Sequence, residues 1–174
     1  MKQWMEKARE AGFTHVGILD PATLQVKEMV RESCAAGRCS AYGHNWTCPP
    51  ACGTLSECAQ RMKLYQRGLL LQTVGTLQKT IDTRGYQETE ERHRKALLAF
   101  SKEIRKVYPQ ALCLGAGGCR ICASCAYPKP CRFPEQALSS MEAYGLFVTQ
   151  VCRDNHLDYY YGPKTITYTA CVLF

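Results

Sequence analysis

The segment Cys119-Arg-Ile-Cys122-Ala-Ser-Cys125-Ala-Tyr-Pro-Lys-Pro-Cys131 is the densest cysteine run in the chain, and it follows the glycine-rich residues 115–118. Spacings of two residues place successive sulfurs at neighbouring corners of a compact cluster, as in ferredoxins that hold [4Fe–4S]. The ferredoxin run ends in a shorter C-x3-C-P spacing, so Cys131 departs from that pattern. The run predicts an iron–sulfur site. A structural zinc site is the alternative, because C-x2-C also binds zinc.

The chain has twelve cysteines in 174 residues, a density that indicates disulfides when it occurs in a small secreted protein. Residues 1–12 are instead charged and amphipathic, without the apolar segment of a signal peptide. The best apolar stretch, residues 68–77, is too short to cross a membrane. We therefore expect a protein of the reducing cytoplasm with no membrane contact, in which clustered thiols bind metal.

A second cysteine motif lies upstream and offers five thiols for about four ligand positions. Its members are Cys34, Cys39, Cys48, Cys52 and Cys58. Residues 54–57, Thr-Leu-Ser-Glu, form a capping box that predicts the start of a helix. Cys58 would then lie in the first turn, where the positive end of the helix dipole favours a thiolate or an anionic cluster. This favours Cys58 over Cys52 as a ligand. The alternative, in which Cys52 is the ligand and Cys58 is a small buried apolar residue, stays open.

The order of these motifs resembles the prokaryotic family of predicted metal-binding proteins known as domain of unknown function 2284. The resemblance covers roughly residues 10–174. It is carried by both cysteine motifs and by the segments Tyr42-x-x-Asn45-Trp46-x-Cys48-Pro-Pro, Gly53-Thr-Leu-Ser-Glu-Cys58 and Ser140-Met-Glu-Ala-Tyr-Gly145. The family pattern implies two ligand sets, Cys34, Cys39, Cys48 and Cys58 in one and Cys119, Cys122, Cys125 and Cys131 in the other. It implies no established reaction.

Hydrophobic periodicity predicts one α/β domain over residues 1–174, a mixed sheet with flanking helices and both cysteine-rich loops at one edge. Helices are predicted at 2–11, 21–33, 55–66, 87–107 and 134–144. Strands are predicted at 13–19, 68–74, 111–114, 146–152 and 165–174. Cys113, Cys152 and Cys171 lie in strand patterns, and we expect them in the core.

Charge and motif content narrow the function classes. The formal net charge is +7, and two [4Fe–4S] clusters on four thiolates each would lower it to roughly +3, a balance that does not call for nucleic acid. No Ser–His–Asp order or nucleotide fingerprint occurs, so no catalytic residue is predicted. We expect two [4Fe–4S] clusters that pass single electrons to a redox partner protein, in an anaerobic or microaerobic prokaryote. The alternatives are a cluster-dependent reductase or desulfidase and a structural zinc protein.

Overall fold

The computed structural model describes residues 1–174, except for the side chains of residues 37 and 38. Its helices are α1 (Lys2–Glu10), α2 (Glu28–Ser33), α3 (Leu55–Met62), α4 (Thr83–Arg105) and α5 (Val148–Asp154). Its strands are β1 (His15–Leu19), β2 (Gly68–Thr76), β3 (Leu112–Leu114) and β4 (Thr165–Leu173). A 3-10 turn (Pro21–Thr23) precedes α2, and a π-helical turn (Cys34–Arg38) extends it.

The four strands form one sheet in the order β1-β2-β4-β3. All three ladders are antiparallel, and the longest pairs β2 with β4 from Gly68–Leu173 to Thr76–Thr165. An isolated bridge directly after β3 pairs Gly115 with Ser140 in the parallel sense. The glycine-rich segment 115–118 therefore leaves the sheet at the β3 edge and leads into the second cysteine run.

Helices cover both faces of the sheet, since successive side chains of a strand point to opposite sides. Leu69 and Leu71 of β2 face one core, and Leu70 faces the other. The first core lies under α1 and α4 and includes Trp4, Phe13, Leu97, Phe100, Ile104 and Cys113. The second lies under α3, α5 and the turn at 141–146 and includes Cys58, Met62, Tyr144, Cys152 and Cys171.

The predicted α/β class with flanking helices is confirmed, as is the burial of Cys113, Cys152 and Cys171. The strands predicted at 13–19, 68–74, 111–114 and 165–174 and the helices predicted at 2–11, 55–66 and 87–107 all form, with shifted ends. We expect a mixed sheet from the sequence. Among the described residues every ladder is antiparallel instead, and the isolated bridge from Gly115 to Ser140 is the one parallel pairing.

The strand predicted at 146–152 is wrong, because this segment begins α5. Its residues, Leu-Phe-Val-Thr-Gln-Val-Cys, are rich in β-branched and apolar types, and a short apolar run does not distinguish a strand from a buried helix. Val148, Val151 and Cys152 are the buried positions, and their spacing of three and four residues is that of one helical face.

The helix predicted at 134–144 is also wrong, since its backbone groups bond elsewhere. The Gly115 N–H donates to the Ser139 carbonyl at 2.9 Å, and the Met141 N–H donates to the Gly115 carbonyl at 2.9 Å. The helix predicted at 21–33 is interrupted for a similar reason. The Lys27 N–H donates to the Gly145 carbonyl at 2.7 Å, so only Glu28–Ser33 is α-helical.

Across the part of the chain that the structure describes, none of the helices combines the length and the apolar character needed to span a membrane.

Candidate metal centre

The second cysteine run closes around one hollow. Cys119, Cys122, Cys125 and Cys131 all line it, so the structure brings together the four thiols predicted for this set. The hollow holds about 20 Å³, room for about one water molecule. The loop is partly exposed and has no regular secondary structure. It would have to widen to take up a four-iron cluster.

Backbone N–H groups point at the sulfurs of this loop. The N–H groups of Tyr127, Trp46 and Ala126 donate to Cys125, and together with the nearby Arg132 they lower the pKa of that thiol. Burial raises the pKa of Cys119, although the Ile121 N–H opposes the shift. Hydrogen bonds to sulfur are among the groups that tune iron–sulfur clusters. The donors in this loop therefore favour bound thiolates.

The loop between Cys39 and Cys48 covers the same hollow. Asn45 donates from Nδ2 to the Cys119 carbonyl at 3.2 Å, and Trp46 donates from Nε1 to the Lys129 carbonyl at 2.8 Å. The Trp46 ring also packs edge-on against Tyr127, with centroids 5.0 Å apart. The first cysteine motif thus holds the second in place.

Three thiols of the upstream motif line a larger cavity of about 190 Å³. They are Cys34 in the π-helical turn after α2, Cys39 just beyond it, and Cys48 in the following turn. Burial raises the pKa of Cys34, and it raises that of Cys48 to about 11. The thiols of Cys34 and Cys48 therefore stay protonated near neutral pH unless a metal ion displaces the proton.

Glu142 is the acidic residue in the wall of this cavity. Its Oε2 is buried and has no hydrogen-bond partner among the side chains and backbone groups described. Burial raises the pKa of the Glu142 carboxyl, while its own backbone N–H and the Ser140 hydroxyl favour the ionised form. An unpaired buried carboxylate is costly, so its position among three thiols calls for an explanation.

Cys52 and Cys58 form a separate pair, outside the residues that line either cavity. Cys58 is fully buried in the core under α3. Arg31 donates from Nη2 to Cys58 Sγ at 3.4 Å and to Cys52 Sγ at 3.5 Å. A hydrogen bond between the two thiols lowers the pKa of Cys58 and raises that of Cys52. Of the first predicted ligand set, the structure therefore brings together Cys34, Cys39 and Cys48 and places Cys58 elsewhere.

The hollow of the second cysteine run, which is the smaller cavity, and the larger cavity share a wall at the glycine-rich segment 115–118. Gly118 lines the larger cavity, and the next residue, Cys119, lines the smaller one. A Cβ at Gly118 would lie 3.7 Å from Cys48 Sγ, so a bare backbone separates the two thiol sets. Within the described residues, no three Cys, His, Asp or Glu side chains lie in a group that could hold one single metal ion between them.

A family model described as predicted metal-binding protein, DUF2284, matches residues 17–174. The chain belongs to the DUF2284 family. The resemblance carried by the two cysteine motifs is thereby confirmed, and metal binding follows at the level of the family. No curated protein and no solved structure matches this DUF2284 chain.

The donor set of this DUF2284 protein fits an iron–sulfur cluster. Thiolates are the ligands that such clusters use, and N–H groups already point at the sulfurs of the second loop. Cys119, Cys122, Cys125 and Cys131 would hold one cluster, and Cys34, Cys39 and Cys48 would hold three irons of another.

Sequence reasoning missed Arg31, Glu142 and His93 at this site. The signal for Glu142 was a single acidic residue in an otherwise apolar segment, Ser-Met-Glu-Ala-Tyr-Gly. Arg31 and His93 have no motif of their own. His93 lines a pocket of about 50 Å³ beside residues 115–119. Its Nδ1 lies 3.0 Å from Thr73 Oγ1, and its Nε2 has no partner in the described chain.

Proposed function

We propose that this protein binds two [4Fe–4S] clusters in one domain and passes single electrons to a redox partner protein. The observation that carries the proposal is the adjacency of the two thiol sets, with four cysteines around one hollow, three around the next, and Gly118 between them. Neighbouring clusters suit a relay of electrons better than a lone structural cluster does.

The size of the larger cavity favours clusters over zinc. A single zinc ion holds four donors tetrahedrally at about 2.0–2.3 Å from one point. Cys34, Cys39 and Cys48 instead line a cavity of about 190 Å³, which leaves room for a multi-atom group between them. The cysteine-rich motifs fit a reducing compartment, in which clustered thiols bind metal, and we propose that it is the cytoplasm.

The redox partner is expected to be acidic where it docks. The formal net charge of the chain is +7, and two bound clusters would lower this net charge to about +3. Opposite charges accelerate docking, and added salt screens them. The rate of electron transfer to a partner or an anionic dye should therefore fall as ionic strength rises.

Metal analysis of anaerobically purified protein tests the proposal. We expect about eight irons and eight acid-labile sulfides per chain, and two cubane signals in electron paramagnetic resonance (EPR) after reduction. Cys122→Ala should lose about four irons, while the core variant Cys113→Ala should keep about eight. Zinc without sulfide in the wild-type protein would end the iron–sulfur proposal.

A cluster-dependent reductase or desulfidase is the second candidate, and one observation favours it. Cys58 does not line the larger cavity, so a cluster there would have one iron without a thiolate from the predicted set. An iron of that kind can bind a small molecule directly. A change in the EPR spectrum when a small molecule is added would favour this enzyme over the electron carrier.

A further inference from the structure

The larger cavity presents four candidate donors, of which three are thiols and one is a carboxylate. Cys34, Cys39, Cys48 and Glu142 line it together. The number equals the count of protein ligands that a four-iron cluster needs. Cys58, the remaining cysteine of the predicted set, is absent from this lining.

Nothing else described in the protein neutralises Glu142. Its Oε2 is buried without a hydrogen-bond partner, and none of the ion pairs among the described residues includes it. The neighbouring Arg31 is engaged elsewhere, because its Nε donates to the Ala143 carbonyl at 2.9 Å and its Nη2 to two sulfurs. A buried carboxyl group without such a partner either holds a proton or binds a metal ion in its place.

Cys58 is held away from the cavity by its own contacts. It is fully buried with Met62 and Leu70 in the core, and Arg31 bonds its sulfur. To reach the cavity, Cys58 would have to leave α3 or α3 would have to shift. Either movement would break the hydrogen bond from Arg31 and the packing of Cys58 against Leu70.

We propose that Glu142, and not Cys58, is the fourth protein ligand of the cluster held by Cys34, Cys39 and Cys48. The proposal rests on the iron–sulfur function proposed above. A carboxylate oxygen is a harder ligand than a thiolate and binds the iron of a cluster less tightly. The iron at Glu142 is then the one that the cluster gives up and regains most readily.

Oxidation by ferricyanide exposes such an iron. A cluster bound here would be oxidised as [4Fe–4S]²⁺ → [3Fe–4S]⁺ + Fe²⁺ + e⁻, with ferricyanide taking the electron to become ferrocyanide. Glu142 would hold the iron that is released, and Cys34, Cys39 and Cys48 would hold the three that remain. Ferrous iron and a reductant reverse the step.

The test combines Mössbauer spectroscopy of protein labelled with iron-57 and EPR after ferricyanide. In the wild-type protein we expect one of about eight irons to show the signature of an oxygen ligand, and a single three-iron EPR signal to appear on oxidation. Glu142→Cys should remove both features and keep about eight irons. Glu142→Gln should be isolated with about seven irons, and the exposed control Glu135→Gln should behave as wild type.

The Cys58→Ala variant separates the two ligand assignments. We expect it to keep both clusters and the three-iron response. Loss of about four irons in Cys58→Ala with an unchanged Glu142→Gln would overturn the proposal in favour of Cys58. Eight irons with purely thiolate signatures in the wild-type protein would overturn it even if a variant fails to fold. A wild-type protein without iron and sulfide would instead refute the proposed function itself.

Discussion

The guanidinium of Arg31 lies 3.4 Å from the sulfur of Cys58 and joins three parts of the chain. It extends from α2, donates to the Ala143 carbonyl beside Glu142, and bonds the thiols of Cys52 and Cys58. Arg31 thus links α3 to the turn that supplies Glu142.

Replacing Arg31 with Met should lower the free energy of unfolding by about 2 kcal/mol or more, because it removes one donor from the Ala143 carbonyl and one from each of the Cys52 and Cys58 sulfurs. Denaturant unfolding under anaerobic conditions measures the loss. Arg92→Met is the matched control, since Arg92 is exposed on α4 and should change stability by less than about 0.5 kcal/mol. Equal effects of the two substitutions would contradict the role given to Arg31.

Trp46→Phe should make the smaller cavity open more readily. The substitution keeps a ring against Tyr127 but removes the hydrogen bond to the Lys129 carbonyl, at a cost of about 1 kcal/mol. We expect one cluster to be lost several-fold faster in air. The decay of the visible absorbance of the cluster measures this rate. Trp4→Phe, a substitution in the core under α1 and α4, should destabilise the fold without that selective loss.

Gly145→Ala should destabilise the turn beside the larger cavity. Gly145 has φ +75°, and a Cβ there would overlap the Leu55 side chain and approach the Lys27 carbonyl at 3.4 Å. Gly43 has a similar φ of +71° with open space around it. Gly43→Ala should therefore lower the free energy of unfolding by about 1 kcal/mol, from backbone strain alone. Gly145→Ala should lower the free energy of unfolding by at least about 2 kcal/mol more, because the new methyl group also overpacks the turn.

Thr54→Ala tests the cap of α3, the helix that carries Cys58. Thr54 Oγ1 accepts from the Glu57 N–H at 3.2 Å, and Glu57 accepts from the Thr54 N–H at 2.6 Å. Removing the hydroxyl should cost about 1 kcal/mol of unfolding free energy. Thr54→Ser keeps the oxygen and should stay close to wild type. A Ser variant as unstable as the Ala variant would argue against the hydrogen bond.

His93 should make the fold sensitive to mild acid. Burial lowers the pKa of His93 from 6.5 to about 4. Below pH 6.5, His93 is therefore protonated in the unfolded chain but stays neutral in the folded protein. Stability from this group is complete above pH 6.5 and is lost as pH falls towards 4. Between pH 6.5 and 5 the loss is about 2 kcal/mol.

Urea unfolding between pH 7 and 5 measures the contribution of His93. His93→Asn should remove about 2 kcal/mol of the pH dependence, because Asn stays neutral while it can still bond Thr73. The substitution His156→Asn at an exposed histidine is the matched control. An unaltered slope in His93→Asn would show that other groups cause the acid sensitivity.

Local patterns predicted much of this structure. The alternation in residues 165–174 gave β4, and the capping box gave the start of α3. The spacing of Cys119, Cys122 and Cys125 predicted three thiols on one side of a cluster, and the structure places these three and Cys131 around one hollow. Each of these predictions depends on residues that are close in sequence.

The remaining features depend on contacts between distant segments. Cys58 and Cys52 could not be separated by spacing, since their surroundings are set by Arg31, more than twenty residues away. Glu142 reaches the cavity because its segment bonds to Gly115, which also prevents the predicted helix. The assignment of Cys58 as a ligand stays a prediction that the Cys58→Ala experiment tests.

The bridge between Gly115 and Ser140 also sets the distance between the two candidate metal sites. One bridged segment reaches Cys119 four residues after Gly115. The other reaches Glu142 two residues after Ser140. The same pair of backbone hydrogen bonds therefore sets the spacing between the two sites. Tunnelling rates fall exponentially with distance. For the two clusters proposed above, a fixed spacing of this kind would give every molecule in a sample the same rate of electron transfer between them.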